Sequence, residues 1–65
     1  MATPAPLPPI GRPATAALEQ TGITTVRQVA SCTEPELLAL HGVGPKAVRI
    51  LAEALAAEGL TFRGG

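Results

Sequence analysis

The chain has no aspartate, tryptophan or tyrosine, and only one each of histidine, cysteine, phenylalanine and lysine. With no aspartate, and with His41 and Cys32 alone of their kinds, three arrangements are missing: a nucleophile–base–orienter set, paired carboxylates in a cleft, and a cluster of metal ligands. A domain of 65 residues also has little volume for an enclosed substrate pocket. These absences predict a protein that is not an enzyme and uses no cofactor or metal. A lone cysteine excludes an intrachain disulfide, which suits a reducing compartment. No apolar run approaches a membrane span, and Met1–Pro6 has neither the basic nor the apolar stretch of a secretion signal. The expectation is a soluble cytoplasmic protein with no membrane partner. Charge excess is missing too: Arg12, Arg27, Lys46, Arg49 and Arg63 balance Glu19, Glu34, Glu36, Glu53 and Glu58. That balance argues against a strongly basic, tight nucleic-acid binder and leaves room for a local patch.

What is present is mostly Ala, Leu, Val and Ile, small aliphatic side chains that suit closely packed short helices in one small domain. Pro4, Pro6, Pro8 and Pro9 make residues 1–9 a flexible, extended arm with Leu7 as its anchor. The domain proper spans 10–62, and 63–65 are a frayed end. Met1 and the Gly64-Gly65 end are expected to bound something near a complete protein. The first helix runs from Pro13 to Gln20 or Thr21, with Gly22 as its left-handed stop. Ile23 returns to the core, and Thr24 caps a short second helix through Ala30 that buries Val26, Val29 and Ala30. Thr33-Glu34-Pro35-Glu36 is a capping box, with Cys32 and Leu37 placed as a hydrophobic staple around it. That role makes Cys32 structural. The third helix ends near His41. The fourth starts at Gly44 or Pro45 and runs to about Glu58, stopped by Gly59. Its apolar stripe is Ala47, Ile50, Leu51, Ala54 and Leu55. Leu60 and Phe62 fold back onto the helix ends, and no segment alternates like a strand.

The densest signal is Leu40–Ala47, which reads as helix end, glycine turn and helix start. Gly42 and Gly44 supply backbone freedom, Pro45 suits a first helical turn, and Val43 points inward. Facing outward are backbone amides at a helix N-terminus beside Lys46, a natural anion site. Arg49 shares the Lys46 face, outside the apolar stripe, or pairs instead with Glu53 one turn on. His41 sits at the C-terminal end of the third helix, where the dipole favours a cation, and is a secondary candidate for phosphate contact at mildly acidic pH. A shift of 33 residues aligns Leu7, Ile10, Gly11, Ala14 and Leu18 with Leu40, Val43, Gly44, Ala47 and Leu51. By this echo Gly11 and Arg12 form a degenerate second copy of the turn, with Arg12 near a helix N-terminus as Lys46 is.

At these residues the chain resembles the helix-hairpin-helix superfamily, whose turn is apolar-Gly-apolar-Gly with a small residue three positions later; here, Gly42-Val43-Gly44 and Ala47, with Ile50 as the next core residue. The stretch Ile10–Phe62 is similar to the C-terminal domain of the bacterial RNA polymerase alpha subunit and to small stand-alone bacterial helix-hairpin-helix proteins. The shared order is a first helix, Ile23–Val26, the Thr33–Leu38 helix start, the glycine turn and the closing Gly59-Leu60. Two positions depart from the pattern. His41 replaces the usual proline before the first glycine, and the first hairpin has no Gly-x-Gly. The resemblance implies an all-α, compact bundle of four to five short helices (SAM-like, or polymerase alpha C-terminal-like). It also implies that Gly42, Val43, Gly44 and Lys46, with Arg49 one turn further, grip DNA phosphates without reading sequence. The polymerase domain's arginine-bearing first helix enters the minor groove, whereas Arg12 is the sole cation near the first helix here.

The functional expectation is a non-catalytic module that binds the DNA backbone weakly, using a tether, a protein partner or a second copy for avidity, and associates with the nucleoid. No helix presents the Arg, Asn and Gln set that base-edge reading requires. The competing expectation is a protein-interaction module docking through the hairpin and through Ala52, Ala56 and Ala57.

Overall fold

The computed structural model describes residues 6–64. Its described residues form α1 (Arg12–Gln20), α2 (Val26–Val29), α3 (Glu34–Leu38) and α4 (Pro45–Ala57). No strand forms among them; Pro6 makes an isolated antiparallel bridge with Thr25. None of these helices is long and apolar enough to cross a membrane.

α4 is the longest helix and lies against α2 and α3. Its buried line is Ala47, Val48, Leu51 and Leu55, so the stripe is rotated toward Val48. Ile50 and Ala54, expected in the core, are only half-buried. Leu18, Val29, Leu37, Leu51 and Leu55 are the largest fully buried side chains. Burying such a side chain contributes about 1.5–3 kcal/mol, and aliphatics from all four helices meet in a single core.

The two short helices depend on their caps. Thr33 Oγ1 accepts from the Glu36 N–H at 3.2 Å, and the Glu36 carboxylate accepts from the Thr33 N–H at 2.8 Å, the expected capping box. α2 has a second box. Its cap is Thr25 rather than Thr24, and the Gln28 side-chain Oε1 accepts from the N–H of Thr25 at 3.1 Å and of Thr24 at 2.6 Å. Ala30 lies just past α2 and is half-buried. α3 ends at Leu38, short of His41, so His41 stands in the following turn, two residues past the Ala39 C-cap.

Near both ends of the described residues the chain meets the core. Residues 1–5 and Gly65 lie outside the described residues, but Leu7 packs against the core. At the other end Phe62 is buried, and the Arg63 N–H donates to the Cys32 carbonyl at 2.9 Å. The Arg63 guanidinium also reaches the Glu36 carboxylate at 3.0 Å, so Arg63 is not an isolated surface charge. The Thr33 N–H and Arg63 together hold the Glu36 carboxyl below the usual glutamate range. A depressed folded value adds stability above the ordinary glutamate value near 4.5, and that stability is lost as pH falls through the depressed value. Melting temperature is therefore expected to fall as pH drops below that point, with the part due to this residue absent in Glu36→Gln.

Candidate functional site

The chain treats its helix starts in two ways. α2 and α3 have threonine caps with reciprocal boxes, whereas α1 and α4 start at Gly11 and Gly44 with no side-chain cap at all. A helix start leaves its first N–H groups without intrahelical partners. In α4 those of Gly44, Lys46 and Ala47 have no partner among the described residues, and in α1 the same holds for Gly11, Arg12 and Ala14. Pro45 and Pro13 occupy the remaining early positions and have no N–H to satisfy.

These two bare starts lie side by side. Gly11, Pro13 and Ala14 line one open groove with Gly42, Gly44 and Lys46, and Ile10 and Ile50 line it too; Arg12 is not among its lining residues. α1 and α4 start 33 residues apart, the offset of the sequence echo. Ala14 and Leu18 are buried as Ala47 and Leu51 are. The correspondence fails in the backbone, because the positive φ sits at Gly11 (94°) in one copy and at Gly42 (93°) in the other, two positions out of register.

Charge at both starts opposes the helix dipole. Arg12 opens α1, and Lys46 lies in the first turn of α4; neither first turn has an acid and neither last turn a base. α3 shows the favourable pattern, with Glu34 and Glu36 in its first turn. Arg12, Lys46 and Arg49 are exposed, and none makes a salt bridge among the described residues; the alternative Arg49–Glu53 pair is not formed.

Four of the expected site residues differ in what the fold requires of them. Gly44 has φ −109°, which any residue adopts, and a Cβ there would meet nothing within 4 Å. Its glycine is required by neither conformation nor packing within the chain. Val43 is buried and its N–H donates to the Leu40 carbonyl at 3.2 Å, so it brings neither side chain nor amide to the surface. His41 is exposed in the turn itself. Gly42 does need to be glycine, for its positive φ and for its contact with Pro13.

Two further clefts open elsewhere on the surface. The cleft beside Thr33, Phe62 and Arg63 is open to solvent and reaches about 430 Å³. A second cleft is lined by Ala52, Leu55, Ala56, Leu60 and Phe62, with Glu34 at its edge. Ala57 lies outside it. No group of three potential metal ligands occurs among the described residues. Burial, with Glu36 adding to it and Arg63 opposing, pushes the Cys32 thiol up, away from the thiolate that nucleophilic chemistry needs. Compared with models of known protein families, with characterised proteins and with solved structures, the chain matches none.

Proposed function

We propose that this is a non-catalytic module that grips the phosphate backbone of DNA, with α3, the Gly42–Gly44 turn and α4 acting as a helix-hairpin-helix. One observation carries it: two helix starts, each uncapped and each with a cation in its first turn, open onto one groove whose lining has no acid. Six unpartnered N–H groups and the two cations Arg12 and Lys46 supply the donors and the charge, and Arg49 extends the patch along α4. Anions bind at such helix starts through oriented amides and the dipole. A glycine at position 44 with open space on its Cβ side fits close approach of a phosphate to the backbone.

Contact with two or three phosphates gives a log–log salt slope of about −2 to −3 and affinity on the order of 10⁻⁴ M or weaker. Such a grip works when the module is tethered, paired with a second copy or held by a protein partner. Titrating a short duplex into the protein across a salt series checks the slope. Lys46→Ala and Arg49→Ala each are expected to abolish measurable binding, and a slope near zero would contradict the reading. The second reading, a protein-docking module, is favoured by the apolar cleft under Ala52 and Ala56. Ala56→Glu separates the two: it leaves duplex binding intact on the first and blocks the partner on the second.

A further inference from the structure

We infer that Gly42 is a positioning residue that joins the two cationic helix starts into one binding unit. This rests on the phosphate-grip reading and adds to it how Arg12 is brought to the site. A Cβ on Gly42 would lie 2.9 Å from the Pro13 carbonyl oxygen, 3.1 Å from its carbon and 3.2 Å from its Cβ. Two of those three atoms are backbone, so nothing flexible is there to give way. At Gly11 the nearest atom to such a Cβ is 3.9 Å off, and at Gly44 there is none within 4 Å. The turn before α4 and the first turn of α1 thus meet at close range through Gly42 and Pro13. Arg12 is the residue before Pro13 and moves with that turn. Any side chain at position 42 displaces the start of α1, and Arg12 with it, from the start of α4.

Gly42 on this view contacts no ligand; it acts through Pro13. The test is a mutant cycle read by the salt dependence of duplex binding, after circular dichroism has shown each variant folded. In the wild-type chain Arg12→Ala is expected to make the log–log slope shallower by about 1, the loss of one phosphate contact. In Gly42→Ala the slope is already shallower by about 1, and adding Arg12→Ala leaves it there, while adding Lys46→Ala abolishes measurable binding. D-alanine at position 42, installed by ligation at Cys32, tolerates the positive φ and directs its methyl away from Pro13; it is expected to restore the wild-type slope and the Arg12 effect. Pro13→Gly, which loosens the junction from the α1 side without positive-φ strain, runs the same cycle if Gly42→Ala does not fold. An equal Arg12 effect in both backgrounds would overturn the inference. So would no Arg12 effect in the wild-type chain, and in that case the grip by Lys46 would stand. No duplex binding by the wild-type chain would overturn the phosphate-grip reading itself.

Discussion

Lys46→Glu is expected to abolish duplex binding and at the same time raise the melting temperature. Lys46 lies in the first turn of α4, where no acid offsets it and no side chain caps the start. A cation near a helix N-terminus is disfavoured and an anion favoured, each by about 0.3–1 kcal/mol at an exposed position. Reversing the charge removes one penalty and adds one gain. In a domain of this size each kcal/mol shifts the midpoint by about 4–8 °C, so a rise of several degrees is expected at low salt, shrinking as salt is added. Binding moves the opposite way, because a phosphate contact is lost and a repulsion takes its place; a loss of at least about tenfold is expected, equivalent to about 1.4 kcal/mol. Thermal melts and duplex titrations on the same sample check both halves. A variant that loses stability and binding together would mark Lys46 as a structural residue.

The largest effect on the fold is expected from Leu51→Ala. Leu51 is 1% exposed and sits on the buried line of α4, the helix that packs on both α2 and α3. Truncating a buried leucine costs about 2–5 kcal/mol, whereas a core this small rarely supplies more than about 3–5 kcal/mol in total. Leu51→Ala should therefore be largely unfolded at room temperature by circular dichroism. Leu38→Ala, at a site 44% exposed, should melt within a few degrees of the wild-type chain. A cooperative Leu51→Ala melt close to wild type would place the core elsewhere.

The helices were legible where one local rule acted without competition. The Thr33–Glu36 box, the glycine stops at Gly22 and Gly59 (φ 87° and 72°) and the start of α4 at Pro45 all follow from cap and turn chemistry, and the structure has each of them. The second box, Thr25 to Gln28, is written in the same Thr-x-x-Gln code. It was missed because Thr24 and Thr25 compete for the cap and Gln28 serves both N–H groups. Val48 was missed because period alone leaves the stripe free to rotate by one position; contact with α2 and α3 decides it. The pairing of Arg63 with Glu36, 27 residues apart, and the pressing of Gly42 against Pro13 are long-range facts with no local signature. For the candidate site, the sequence pointed to a glycine turn before α4, and Gly42 has its positive φ there. The sequence does not display the torsion angle of Gly44, which any residue adopts, or the hydrogen bond that takes up the Val43 N–H. The 33-residue echo pointed to the pairing of the two helix starts, though not to the shift of the positive φ.

The most direct test of the phosphate grip is a titration of the isotope-labelled protein with a short duplex at low salt, followed amide by amide by NMR. The account predicts shifts concentrated at Gly11–Ala14 and at Gly42–Ala47, fading together as salt is raised. Absence of shifts at millimolar duplex, or shifts confined to the cleft under Ala52, Ala56 and Phe62, would contradict it.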